Sequence, residues 1–338
     1  MRTRMSAVQA SGEELGMRWL IRALTAMAIV AAFASWAVAQ TAWPEKPVRL
    51  VVGFTAGSAT DVTARLFAQK FSEAWGQAVV VDNVPGNAGA IGTDKVARAT
   101  PDGYTLMWAG NAAITILPSL QPLPYDPLRD LVPISTTLSM PSILLVNNET
   151  PIRSIAELIA YAKANPGKLS YGTPGIGTPQ HVAGELLGTL AGIRMEHIPY
   201  RGANMTDVMS GVVPIGIQNT GAGLAFARDG RLRGIGITSL KRSPNAPDLP
   251  TVAESGFPGF EATSWFALIA PVGTPQPIID KVRAEALKVL ADPAMQQKFA
   301  TLGLDRVGST AEETRAAIAA DIPKWAKVIK DAGIKPSN

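Results

Sequence analysis

The feature that most constrains this chain is a unit that recurs without a fixed period. An apolar run rich in β-branched residues enters a loop of Gly and hydroxyl residues, and an amphipathic helical stretch follows. Residues 51–71, VVGFTAGSATDVTARLFAQKF, carry it first. VRLVVGF (48–54) reads as a continuous apolar strand, as in a sheet covered on both faces. The helical stretch after it sets Val62, Leu66, Phe67 and Phe71 on one side. AVVVDN (78–83) is the next strand, AIGTDKVARA (90–99) a helix and YTLMWAG (104–110) a strand. This βαβαβ order predicts a parallel sheet with right-handed crossovers.

The theme returns after PLPYDPLRDLVPI (122–134). SILLVNN (142–148) reads as a strand and SIAELIAYAKANPG (154–167) as a helix. Ser154 and Glu157 there form a capping box, and Asn165-Pro166-Gly167 is a stop. LSYGTPGIGTPQHVAGELLGTLAG (169–192) and MEHIPYRGANMTDVMSG (195–211) repeat strand, Gly loop and helix. LRGIGITS (232–239) and SWFALIAP (264–271) are further strands. A helix begins near Pro277, and helical stretches over 292–302 and 311–332 close the chain. The pattern predicts two α/β lobes. Lobe 1 takes residues 40–140 and 264–338, with the C-terminal helices on it, and lobe 2 takes 141–263. The chain crosses near 140 and 263, and a ligand would sit in the cleft.

Composition removes several function classes. The 338 residues contain no Cys and two His, which excludes zinc–thiolate sites, Cys nucleophiles and a three-His zinc site. Neither G-x-S-x-G nor H-E-x-x-H occurs, and no metal or cofactor is expected. MRWLIRALTAMAIVAAFASWAVAQ (17–40) has basic residues, a short apolar stretch and Ala37-Val38-Ala39, and reads as a secretory signal over residues 1–39. Residues 1–16 read as an upstream extension, because Met17 would start a more ordinary signal. Cleavage takes four Arg and two Glu, leaving 27 basic against 25 acidic residues, a net charge of +2 rather than +4. With no basic run interleaved with aromatics, nucleic acid is not an expected partner. The expected location is the periplasm.

Four loops hold the candidate chemistry. Gly53 to Asp61 has neither a Walker A pattern nor G-x-G-x-x-G; it leaves the N–H groups of Gly57, Ser58, Ala59 and Thr60 bare, with Ser58 and Asp61 placed as a capping box. An ordinary capped βα turn is the alternative there. NVPGNAGAIG (83–92) puts a second Gly-rich helix entry at the same sheet edge, where open α/β sheets bind ligands. YGTPGIGTPQH (171–181) adds Thr173, Thr178 and His181. In YRGANMTD (200–207), Arg201 reads either as a group facing a carboxylate or as an ordinary surface Arg. Donors come mostly from backbone, which suits capture of a carboxylate; an enzyme with His181 as base is the rival reading.

These words in this order, with PDGYTLMWAG, YDPLRDLVPI, HIPYRGA, LPTVAESGFPGFEATSW and APVGTP, resemble the Bug (TctC-like) family of periplasmic solute-binding receptors of tripartite tricarboxylate transporters over residues 43–335. The resemblance implies a type II periplasmic binding protein fold, an α/β architecture of two lobes closing on a small organic anion. It implies a ligand site of Phe54, Ala56, Gly57, Ser58, Thr60, Asp61, Asn83, Pro85, Gly86 and Gly89 from the first lobe. From the second it implies Thr173, Gly175, Thr178, His181 and Arg201. The implied partners are a small carboxylate and either transporter permease subunits or the outer domain of a sensor kinase, with the receptor itself a monomer. Two departures stand out. The common NRPGAGG is here Asn83-Val84-Pro85-Gly86-Asn87-Ala88-Gly89, and an Asp common in FDN is Gln218. A neutral Gln218 would disfavour an amino acid and favour an acid with an uncharged tail.

Overall fold

The computed structural model describes residues 43–200 and 205–335, and those from Lys46 on form one compact unit. The proposed signal segment and Arg201 lie outside the described residues. The first sheet has the strand order β11-β4-β10-β3-β1-β2. Its strands are β1 (Val48–Val52), β2 (Val79–Asn83), β3 (Thr105–Gly110), β4 (Leu131–Met140), β10 (Ser264–Pro271) and β11 (Asp305–Arg306). The second sheet has the order β7-β6-β8-β5-β9. It contains β5 (Ser142–Val146), β6 (Ser170–Thr173), β7 (Glu196–Pro199), β8 (Ile215–Asn219) and β9 (Arg233–Ile237).

The expectation of a parallel sheet holds only for part of each. β1 pairs in parallel with β2 and β3, but β10 runs antiparallel to both β3 and β4. In the second sheet β6 is parallel to β7 and β8, while β5 is antiparallel to β8 and β9. The antiparallel strands are those next to the passages between sheets. β4 ends at Met140 and β5 begins at Ser142; β10 returns the chain to the first sheet at Ser264.

Helix α1 (Ala59–Trp75) corrects one detail of the sequence pattern. Its buried face is Thr63, Ala64, Phe67, Ala68 and Phe71, and Val62 is exposed. Trp108 of β3 explains the phase: its ring lies 4.5 Å from that of Phe67, and its Nε1–H donates to Thr63 Oγ1 at 2.9 Å. Helices α2 (Ala90–Ala97), α3 (Ile155–Ala164), α4 (Pro179–Ala191), α5 (Met205–Met209), α6 (Thr220–Arg228), α7 (Gln276–Ala291), α8 (Pro293–Thr301) and α9 (Ala311–Ala332) complete the set. α9 joins two cores. Its Ile318 packs with Val51, Met107 and Ile269 of the first sheet, whereas Trp325, Val328 and Ile329 pack with Leu144, Tyr171 and Leu187 of the second.

The two sheets are also fastened directly. Thr220 Oγ1–H donates to Gly303 O at 2.8 Å, and Ser243 Oγ–H to Asp305 Oδ1 at 2.7 Å. A Cβ on Gly221 would lie 2.3 Å from Leu302 O, so only Gly permits this approach of α6 to the turn before β11.

Candidate functional site

Strand direction and helix polarity place the site. The C-terminal ends of β1, β3, β6 and β8 lead into loops that face a cavity of about 200 Å3 drawn from both sheets. Phe54, Thr60, Asn111 and Ala112 line it from the first sheet's side, with Trp265 and Phe266 of β10. Ile176, Gly177, Thr178, Gln180 and Asn219 line it from the second. The volume is below that of sites for drug-sized molecules, and fits a small metabolite.

Two helix N-termini point into this space. Ser58 caps α1, its Oγ accepting from Asp61 N at 3.2 Å. That leaves the Ala59 and Thr60 N–H groups without an intrahelical partner. Thr178 caps α4, its Oγ1 accepting from His181 N at 3.3 Å, with Pro179 in the first turn. The Gln180 N–H is left in the same way. Each terminus carries roughly half a positive charge. Among the described residues, no Lys, Arg, Asp or Glu lines the cavity. Of the described groups, the backbone dipoles of the two helix N-termini supply the positive field, and the rest of that surface is largely apolar.

The remaining polar groups of the first side support the loops from behind. Asp61 accepts from Gly57 N at 2.8 Å, from Arg65 Nε at 3.0 Å and from Asn83 Nδ2 at 2.9 Å. Asn83 Nδ2 also donates to Phe54 O, and its Oδ1 accepts from Arg65. Burial pushes the Asp61 carboxyl up, but its bonds to Arg65, Gly57 and Asn83 together hold it below the usual carboxylate range. The two Gly loops touch: a Cβ on Gly53 would lie 2.7 Å from Gly89 Cα, and Gly89 lies against the Phe54 ring. Ala56, Pro85 and Gly86 belong to these loops, but the cavity surface there is formed by Phe54, Ala59, Thr60 and Ala88.

The second side rests on a pair of imidazoles, His181 buried and His197 half-buried. His181 and His197 stack with ring centroids 3.7 Å apart. His181 Nδ1 accepts from Gly177 N at 3.1 Å, and His197 Nε2 lies 2.7 Å from Thr173 Oγ1. Burial, then the neighbouring His197, lowers the pKa of His181 to about 3; burial lowers that of His197 to about 4. Both rings are neutral at physiological pH. Tyr171 donates its hydroxyl to Glu185 at 2.6 Å, and burial raises the Glu185 carboxyl. Thr173, Gly175 and His181 thus hold the loop that carries Ile176, Gly177 and Thr178, with Thr178 Oγ1 donating to Gly175 O at 2.7 Å.

Of the residues singled out from sequence, Phe54, Thr60 and Thr178 line the cavity itself. Gln218 is buried in β8 facing α6, its Cβ 3.5 Å from where a side chain at Gly223 would begin. Its neighbour Asn219 lines the cavity instead, because successive strand residues face opposite ways. Asn219 Oδ1 accepts from Gln180 Nε2, which turns the Asn219 amide N–H groups outward. Gln180, Asn111 and Trp265 were also missed. Gln180 sits beside His181 in PQH and Asn111 directly follows β3, and those positions were the available signals.

Comparison with known proteins supplies the family and the fold. The family model described as tripartite tricarboxylate transporter family receptor matches residues 63–334. The protein BugT of Bordetella pertussis is 37% identical over 305 residues, covering 88% of this chain and 93% of BugT. The structure of Rpa4515 of R. palustris with adipate is 35% identical, with a TM-score of 0.74, covering 87% of this chain and 100% of the other. That of MatC from Rhodopseudomonas palustris with bound malate is 27% identical, with a TM-score of 0.70, covering 85% and 100%. The chain belongs to the tripartite tricarboxylate transporter receptor family, and its fold is the two-lobed α/β fold of those periplasmic binding proteins.

Proposed function

We propose, on the premise that this chain is a receptor of that family, that it captures a small organic carboxylate outside the cytoplasm by closure of its two lobes. It then delivers the acid to the membrane components of a tripartite tricarboxylate-type transporter. The observation that carries this reading is the meeting of the α1 and α4 N-termini, one from each sheet, in one cavity. A carboxylate there accepts from the Ala59, Thr60 and Gln180 N–H groups, with the Thr60 hydroxyl and the Asn219 amide beside them. Because donors come from both sides, binding favours the closed arrangement over the open one. The lobes would be residues 40–140 with 264–338 and residues 141–263, turning about the passages near 140 and 263. The adipate and malate in two relatives support the ligand class.

The rest of the ligand meets Phe54, Trp265, Phe266 and Ile176, and among the described residues no carboxylate lines the cavity to receive an ammonium group. The preferred ligand is an acid with an uncharged tail. The signal segment over 1–39 directs the protein to the periplasm in this reading.

The test is thermal unfolding of protein refolded free of ligand, against mono-, di- and tricarboxylates, aromatic acids and amino acids. An acid at a hundred times its Kd adds about 2.7 kcal/mol, which raises Tm by roughly 5 °C. Some carboxylates give that shift, and aspartate and glutamate do not. No shift with any acid, from folded and empty protein, refutes the reading.

A further inference from the structure

At Ala88, Ala112, Ile176 and Gly177 the cavity borders a second chamber of about 330 Å3, whose other surfaces are Leu117, Leu120, Asn87 and Gln121. The threshold draws on both sheets. Ala88 and Ala112 follow strands of the first, and Ile176 and Gly177 follow β6 of the second. The fit there is close, since a Cβ on Gly177 would lie 3.2 Å from Leu120 Cδ1.

One of the four residues is held in a conformation that its type disfavours. Ala88 has φ 48° and ψ 30°, next to Asn87 at φ 47° and between Gly86 at φ 133° and Gly89 at φ 97°. Gly accepts this region freely and Asn tolerates it, but an alanine Cβ crowds the following carbonyl. A glycine at 88 would hold the same backbone with less strain, so the methyl group is present despite its steric cost. Such outliers collect where a site needs the residue.

We propose that Ala88 determines ligand length in this receptor. Its methyl group, with Ile176 across the same threshold, confines the ligand's tail to the inner cavity. With a smaller residue at either position, the tail passes through to Leu117 and Leu120. The proposal rests on the carboxylate-receptor reading above and adds to it the residue that sets which acids fit.

The experiment is calorimetric titration of ligand-free protein with straight-chain mono- and dicarboxylates of increasing length, comparing wild type, Ala88→Gly and Ile176→Ala. The wild type loses affinity once the chain exceeds the inner cavity. In both variants each further methylene instead tightens binding about fourfold, from its burial against Leu117 and Leu120. The readout is the ratio of long-acid to short-acid affinity, so a uniform change in all affinities does not imitate it. Ile176→Ala leaves the 86–89 backbone untouched and checks the threshold independently. An unchanged chain-length profile in Ala88→Gly overturns the proposal while the receptor reading stands. A wild type that binds none of these straight-chain acids also overturns the proposal, and the receptor reading falls with it only when tricarboxylates and aromatic acids fail as well.

Discussion

On the first sheet's side of the cavity, charge is present but turned inward. Asp61, Arg65 and Asn83 bond to one another and to the loop backbone, and the cavity surface on that side is made by the Thr60 hydroxyl, the Asn111 amide and the rings of Phe54, Trp265 and Phe266. On the second sheet's side, the support is neutral: stacked imidazoles, threonine hydroxyls and the Gln180–Asn219 amide pair. The first arrangement clamps two loops together through a charged network. The second holds one Gly loop, 174–178, through His181, Thr173 and Thr178. Rigidity of the first side depends on keeping a charge, and that of the second on never gaining one.

The comparison is broken most severely at Asp61. Asp61→Ala releases Gly57, Arg65 and Asn83 together, and a hydrogen bond to a charged group contributes about 1.5–3 kcal/mol. With Arg65 half exposed and its share screened, the expected loss is about 3 kcal/mol, read from denaturant midpoints, together with loss of ligand binding. Should the variant bind acids as before, the clamp is not what shapes the first side.

Acid separates the two sides next. The unfolded chain protonates its histidines near 6.5, but the folded rings resist until about 4 for His197 and about 3 for His181. Between those values the unfolded state binds more protons, so stability falls as pH falls from about 6.5. From pH 7 to pH 5 each ring costs up to about 2 kcal/mol. Asp61, whose folded value is lowered, adds its own loss only below about pH 4. Urea midpoints at pH 7, 6 and 5 should therefore show a decline that His197→Gln reduces and Asp61→Asn does not.

A smaller effect sharpens the role of the amide pair. Gln180→Leu removes the donor to Asn219 and leaves a half-buried amide oxygen without that partner, which costs about 1 kcal/mol. Because Asn219 lines the cavity, part of that loss appears in binding, as a severalfold rise in Kd by titration. The smallest effects come from the caps. Ser58→Ala and Thr178→Ala each cost about 1 kcal/mol of stability, and circular dichroism melts should give similar shifts for both. Unequal shifts would show that one cap also holds its loop.

Much of the fold was legible because it is encoded locally. SWFALIAP marks β10 over its whole length, and residues 311–332 mark α9 to the residue. The caps at Ser58 and Ser154 were also legible, with one difference. In both, the acidic partner reaches past the capping residue to the N–H before it, Asp61 to Gly57 and Glu157 to Arg153. β4 was missed because LVPISTTLSM looks like a polar loop containing Pro. Its hydroxyls bond inside the fold, Thr137 Oγ1–H to Phe266 O and Ser135 Oγ–H to Ser309 O. Pro133 lies beyond the stretch of β4 that two-residue β11 pairs, and opposite Ile269 of β10, where the register shifts.

By itself the sequence determined the order of strands, Gly loops and helices, and hence that helix N-termini collect at the ends of parallel strands. Those features follow from spacing, capping and backbone freedom over a few residues. Only the tertiary structure decided which groups face the ligand. The Asp61–Arg65–Asn83 network, the stacking of the two imidazoles, the choice of Asn219 over Gln218 and the threshold at Ala88 all depend on elements brought together from far along the chain. A one-residue change of strand phase or a contact between two loops reverses which side a polar atom faces, and neither is written in local pattern.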